Sequence, residues 1–259
     1  MKYEIQEQGG FKFIETKGGE ENLLLLHGLF GALSNFKGII DYFGTKYNVV
    51  VPILPIFEMP IFKVSVAGLV DHVAKFAEYK GYKSIHVLGN SLGGHIAILF
   101  AIAHPHRIAS VILTGSSGLF ESAMGTSFPK RGDYDFIKNK TEATFFDPSV
   151  ATKELVDEVY EIVNDRNKGI RIVATAKSAV RHNLGDKLYQ LKAPTLLVWG
   201  KNDIITPQFV GEKFNELIEN SRLVLLDNCG HAPMMELPED FNRHLEIFLN
   251  EVVNQKQAV

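Results

Sequence analysis

The chain has 259 residues, 46% hydrophobic and 22% charged, with 27 Lys and Arg, 30 Asp and Glu, a net charge of −3 and one cysteine. These fractions are globular and exclude wholesale disorder or a fibrous repeat. The mild negative charge speaks against a broad basic face for nucleic acid, and the lone cysteine rules out an intrachain disulfide framework or a multi-cysteine zinc site.

The length allows two small domains or one large α/β domain. From the amino end, Tyr3 and Ile5, a Gly9-Gly10 pair, then Phe11 and Phe13 alternate with the period of two that marks a hairpin. Nearly continuous apolar runs follow at 23–26 and 49–54. Val66, Leu69, Val70, Val73, Phe76 and Ala77 recur at three and four, with Gly81 as the stop, a spacing that predicts a helix. A run at 84–88 leads into a second helix carrying Ile96, Leu99, Phe100 and Ala103 before Pro105, and another run occupies 110–113. About eighty residues then pass before the run at 194–199, several times a usual connection. Within them Asp147-Pro148, read as cap and first-turn proline, leads toward Leu155, Val159 and Ile162, and another helical stretch runs 170–184. A last run at 222–226 precedes a helix striped by Phe241, Leu245, Phe248, Leu249 and Val252 behind Pro238.

Apolar runs that lose alternation are strands covered on both faces, as in a parallel sheet between helices. Their alternation with helices predicts a doubly wound α/β sheet. The long excursion is expected to be a helical lid at 118–189, set into a core of 1–117 and 190–259. No window holds eighteen apolar residues, and no apolar run backs the amino-terminal lysine. Neither a membrane span nor a signal peptide is therefore expected, and the location read from this is cytoplasmic.

The chemistry centres on Gly89-Asn90-Ser91-Leu92-Gly93, directly after an apolar run and at the start of a helical stretch. A sharp strand-to-helix turn there exposes a strained serine, and the flanking glycines relieve collisions across the turn. A serine hydroxyl needs a base, and the base needs an orienting acid. Asp203, after the run ending at Trp199, and His231, in the loop after the next run, stand where loops converge beyond the carboxyl ends of strands. The order Ser91, Asp203, His231 is that of hydrolases built on such a turn. Asp227 is a weaker acid candidate, as a turn-capping strand-end residue. His95, His244, His104 and His106 are read as packing, solvated or too isolated for a metal, and Cys229 as a small buried hydrophobe.

At this point the chain resembles the α/β-hydrolase superfamily, through HGLFG at 27–31, GNSLGG at 89–94, WGKNDIITP at 199–207 and GHAPMMELPEDFN at 230–242. The resemblance covers nearly the whole chain and points to the lid-bearing, esterase-like branch. It implies an α/β-hydrolase fold, a mostly parallel sheet flanked by helices with a helical lid. It also implies Ser91 as nucleophile, His231 as general base and acid, and Asp203 as its orienter. The backbone amides of Leu29 and Leu92 would form an oxyanion hole, with Phe30 the second choice for Leu29, and His27 would position that loop.

A serine at the turn separates the chain from relatives that carry an aspartate there. The expected reaction is hydrolysis of small, largely apolar carboxylic esters through an acyl-enzyme, without cofactor or metal. Phe30, Asn90, Phe120, Met124, Phe128, Phe145 and Met234 are the pocket candidates, with Phe136, Phe146 and Met235 beside them. The apolar lid residues either line a pocket or fasten lid to core. The rival reaction is carbon–carbon hydrolysis of ring-cleavage dienones, since Gly-Asn-Ser and Gly115-Ser116-Ser117-Gly118-Leu119 are similar to those enzymes. Ala232, where they carry an aromatic, and a less glycine-rich 27–31 loop count against it. Enol-lactone hydrolysis and a slow-turnover ligand receptor complete the alternatives.

Overall fold

The computed structural model describes residues 3–31, 36–120 and 130–257. Eight strands form one sheet: β1 (Gln6–Gln8), β2 (Phe11–Glu15), β3 (Asn22–Leu26), β4 (Asn48–Pro52), β5 (Ile85–Asn90), β6 (Ile108–Thr114), β7 (Thr195–Gly200) and β8 (Ser221–Leu226). Their spatial order is β1-β2-β4-β3-β5-β6-β7-β8. The first two strands make the expected hairpin around Gly9-Gly10, and β2 joins β4 antiparallel. From β4 to β8 every pairing is parallel.

Why the runs show no alternation is visible in their packing. Leu24, Leu26, Val50, Val87, Val111, Leu113, Leu197 and Trp199 enter the core on one face. Leu23, Leu25, Val49, Val51, Leu88, Ile112, Leu196 and Val198 enter the core on the other. Successive side chains do point to opposite faces, but both faces are buried. Helices α2 (Val66–Tyr79), α3 (Leu92–Ala103) and α7 (Gln208–Leu217) cover the first face; α1 (Lys37–Phe43) and α9 (Pro238–Gln257) cover the second.

Strand β3 lies between β4 and β5, so the chain winds away from it in both directions. The loops after β3 and β5 therefore open a crevice at the carboxyl edge, where open α/β sheets bind ligands.

The connection from β6 to β7 carries α4 (Tyr134–Glu142), α5 (Lys153–Asn164) and α6 (Arg166–Arg181). The sequence reading differs here in three places. Asp147 caps only a short 3-10 turn, Pro148–Val150, by accepting from the Ser149 amide at 2.9 Å. The next helix is separate, starting at Lys153 with Thr152 as its own cap, because Ala151 leaves helical geometry at ψ 75°. Helix α6 stops at Arg181, short of Leu184. Helix α4 has no counterpart in the reading, since it buries only Ile137 and Thr141. Helix α6 is tied to the core where Ser178 Oγ accepts from the Val66 amide at 3.0 Å. Among the described residues no helix is long and apolar enough to cross a membrane.

Candidate active site

Strand β5 ends at Asn90, and Ser91 follows, its backbone at φ +55° and ψ −120° before α3 begins. A non-glycine residue held there stores about 1–3 kcal/mol of strain and persists only if its surroundings fix it. They do: the Ser91 amide donates to Thr114 O, and its carbonyl accepts from the amides of Gly94, His95 and Ser117. Gly93 is sterically obligatory, since a Cβ there would stand 1.9 Å from Leu26 O. The turn thus presses against the end of β3 and points its serine at the crevice.

Asp203 follows β7 and is 4% exposed. Its Oδ1 accepts from the amides of Ile205 at 2.7 Å and Thr206 at 2.9 Å. Its Oδ2 accepts from Thr206 Oγ1 at 2.8 Å and from His231 Nδ1 at 2.9 Å. Thr206 is itself anchored, its carbonyl accepting from Trp199 Nε1 at 2.7 Å. A carboxylate can only accept, so the imidazole carries its proton on Nδ1 and leaves Nε2 a free acceptor.

Backbone contacts hold His231 from two directions. Its amide donates to Thr144 O in the β6–β7 connection at 3.0 Å. Its carbonyl accepts from Asn90 Nδ2 at 3.2 Å, and the same amide group reaches Thr114 O at 3.1 Å. Asn90 therefore borders the crevice but spends its side-chain donor on joining the serine turn to the histidine loop.

The competing groups are engaged elsewhere. Asp227 is exposed and pairs with Lys201 at 2.8 Å. His27 contacts Gly28 O through Nδ1 at 2.8 Å and accepts the Leu54 amide on Nε2 at 3.1 Å. Burial lowers its pKa, and the neutral ring braces the loop after β3. His95 donates from Nε2 to His182 O at 3.0 Å, and burial pushes its pKa down to about 4. Burial raises the Cys229 thiol, with the Glu236 and Asp203 carboxylates adding to it, so it is no nucleophile.

Ser91 and His231 share a cavity of about 910 Å³ between the sheet edge and helices α4 to α6. Its wall is mostly apolar, including Leu155, Val159, Ile172 and Ala176 from the β6–β7 connection. A histidine hydrogen-bonded to a buried carboxylate, beside a strained serine and under a mostly apolar wall, is equipped for nucleophilic attack in low water. Among the described residues no group of three His, Cys, Asp or Glu is placed to hold a metal ion.

A family model described as the alpha/beta hydrolase fold matches residues 21–238. The chain belongs to that family. The chain is 31% identical over 183 residues to a 2-hydroxy-6-oxononadienedioate/2-hydroxy-6-oxononatrienedioate hydrolase of Pseudomonas putida, a match covering 65% of the chain and 64% of that relative. It is 24% identical to a monoacylglycerol lipase of Xenopus laevis over 97% of the chain and 83% of the lipase. Among solved structures it is similar to MGS-MChE2, an alpha/beta hydrolase from the metagenome of lagoon sediments at Mar Chica, Morocco. That likeness has a TM-score of 0.79, 41% identity, and coverage of 96% of the chain and 98% of the other.

The fold brings most of the sequence-selected residues to one place. Leu29, Phe30, Asn90, Leu92, Phe120 and Phe145 border the same cavity as Ser91 and His231, as does Phe136. Met234 does not. It is 2% exposed and packs in the core on the α1–α9 side, and Met235 takes the cavity wall instead. Both lie on α8 (Pro233–Glu236), a single helical turn, where consecutive side chains diverge by about 100°. Phe146 is 46% exposed. Met124 and Phe128 lie outside the described residues.

Two residues escaped the sequence reading. Thr206 completes the shell of Asp203, and its signal is the Asp-x-x-Thr spacing of a side-chain-capped turn. Glu236 accepts backbone amides from Gly230, six positions back, and from Phe146, 90 positions away, and the second of these has no local signal.

Proposed function

We propose that this chain is a serine hydrolase that cleaves carboxylic esters of small, largely apolar substrates. The observation that carries the reading is the 2.9 Å pairing of His231 Nδ1 with Asp203 Oδ2 in the cavity that Ser91 borders. In it, Nε2 of His231 takes the Ser91 hydroxyl proton as Oγ attacks the ester carbonyl. The amides of Leu29 and Leu92 receive the developing oxyanion, donors of a kind worth about 3–4 kcal/mol each. The proton passes to the departing alkoxide, leaving an acyl-enzyme. Water then loses a proton to His231, attacks the acyl carbon, and the proton returns to Ser91 as the acid leaves. Residues 118–189 act as a lid whose helices turn apolar side chains such as Leu155, Val159 and Ile172 to the cavity, exclude water and shape the acyl or alcohol site.

The test is a fluorophosphonate probe with a nitrophenyl ester series. Wild type is expected to label and to turn over acetate and butyrate esters, and Ser91→Ala to do neither. Turnover no higher than in Ser91→Ala sinks the ester reading, and an acylation burst without turnover favours a receptor.

A second reading, carbon–carbon hydrolysis of ring-cleavage dienones, is supported by the activity named for the Pseudomonas putida relative. It is also supported by charge: Arg131, Lys140, Arg166 and Lys177, all basic, are the charged residues described along the cavity, and a dienoate carries a carboxylate to meet them. One dienone substrate run beside the ester series separates the two.

A further inference from the structure

Glu236 stands at the end of the single turn α8, five residues past His231, and the reaction outlined above assigns it no task. Its carboxylate is nevertheless the meeting point of two segments. Oε1 accepts from the Gly230 amide at 2.9 Å and from the Ala232 amide at 3.4 Å, the two residues flanking His231. Oε2 accepts from the Phe146 amide at 2.7 Å, 90 positions away in the β6–β7 connection. The strands of chain touch directly here as well. His231 donates its amide to Thr144 O, and a Cβ on Gly230 would stand 2.7 Å from Thr144 O and 2.9 Å from Phe146 N.

Gly230 and Ala232 are buried, and an unpaired buried N–H costs as much as a lost hydrogen bond, so their amides need acceptors; the Phe146 amide, at the rim, is brought to the same group. One carboxylate supplies them for both segments at once. The side chain is half-buried, and hydrogen bonds to a charged acceptor in such surroundings are stronger than neutral ones. The histidine loop and the 144–146 segment are therefore not independent: each takes part of its hydrogen bonding from one oxygen of the same carboxylate.

We propose that Glu236 is a positioning residue that ties the His231 loop to the β6–β7 connection, so that the seat of the imidazole depends on how that connection packs. Packing of the apolar helices over the cavity is thereby transmitted to the group that must meet Ser91. The role rests on the ester-hydrolase reading only for its catalytic consequence, since the tether itself is a matter of backbone contacts.

The experiment compares wild type, Glu236→Ala and Glu236→Gln by steady-state kinetics on nitrophenyl butyrate and by amide hydrogen exchange. In Glu236→Ala, kcat is expected to fall about 10–100-fold while KM stays within about twofold, the signature of a displaced catalytic group rather than a spoiled pocket. Exchange is expected to rise together in peptides covering 143–148 and 228–237. Glutamine offers one acceptor oxygen and turns its NH₂ toward the other set of amides, so Glu236→Gln is expected to lose less kcat and to loosen one of the two segments more than the other. It also serves if the alanine variant does not fold. A wild-type kcat in both variants, or faster exchange confined to the histidine loop in Glu236→Ala, overturns the proposal. The exchange arm needs no substrate: if wild type hydrolyses no ester, the function fails, and the tether stands or falls on whether the two segments loosen together.

Discussion

Asp203 meets His231 with one oxygen only. Oδ2 takes the imidazole Nδ1 at 2.9 Å, and Oδ1 is held by the amides of Ile205 and Thr206. Those amides require an oxygen at the Oδ1 position. In Asp203→Asn the amide oxygen stays with them, and the NH₂ must occupy the side facing the ring. It then donates to Nδ1, which forces the proton to Nε2, and the base can no longer accept from Ser91. We expect kcat on a nitrophenyl ester to fall on the order of 10³–10⁴-fold with an unchanged circular dichroism spectrum. A loss under tenfold would remove His231 from the role of base.

Gly115 lies against the same histidine. Its φ is +51°, and a Cβ there would stand 2.7 Å from His231 O and 2.8 Å from its Nδ1. Gly115→Ala must therefore shift the loop or the ring. The expected result is a loss of about 10–100-fold in kcat with about 1–3 kcal/mol of stability lost to strain, read by kinetics and thermal melting. A fully active variant would mean that the loop has slack the geometry does not show.

His95 links stability to pH. Burial lowers its pKa to about 4, whereas the unfolded chain titrates near the ordinary value of about 6.5. Between these values the unfolded state binds more protons, so stability rises with pH through this window and is lost as pH falls. It is complete above about 6.5 and gone below about 4. From pH 7 to 5 this one group is expected to cost wild type about 2 kcal/mol. Glu158 and Glu236, whose pKa values burial raises, act in the opposite sense, so the difference between wild type and His95→Gln isolates the histidine. Chemical denaturation at pH 7 and 5 checks it: the variant should be weaker at pH 7 but fall less. Parallel curves would refute the assignment.

Ala176 is a small residue on α6 at the cavity wall. Ala176→Phe adds a ring to the space over Ser91 and shortens the room for a long acyl chain. The ratio of kcat/KM for octanoate to butyrate esters is expected to drop about tenfold, the scale of a few displaced methylenes. An unaltered ratio would place the acyl chain elsewhere in the cavity.

Legibility followed the reach of the forces involved. The six apolar runs coincide with strands β3 to β8: in β3 to β7 burial on both sheet faces leaves its mark on composition within five to seven residues, whereas β8, at the sheet edge, carries an apolar run that is only partly buried. The serine turn is legible for a similar reason, since its glycines answer collisions with atoms a few positions away or at the end of β3. Helix α4 was not legible, because it buries only Ile137 and Thr141 and has almost no apolar stripe to find. Met234 and Met235 both follow His231, and only the divergence of about 100° between consecutive side chains on α8 decides which of them reaches the cavity.

The amino-acid sequence by itself determined the doubly wound α/β sheet, the strained serine turn, and the chain order of Ser91, Asp203 and His231. Each depends on local sterics or on burial repeated along a strand. Only the tertiary structure decided that Asn90 spends its amide on the carbonyls of Thr114 and His231, and that Glu236 joins Gly230 to Phe146. Three of these four bonds have partners 24 to 141 positions apart, and the fourth, from Gly230, spans six. The residue types permit them, and only the packing of sheet, histidine loop and α4–α6 brings donor and acceptor within reach.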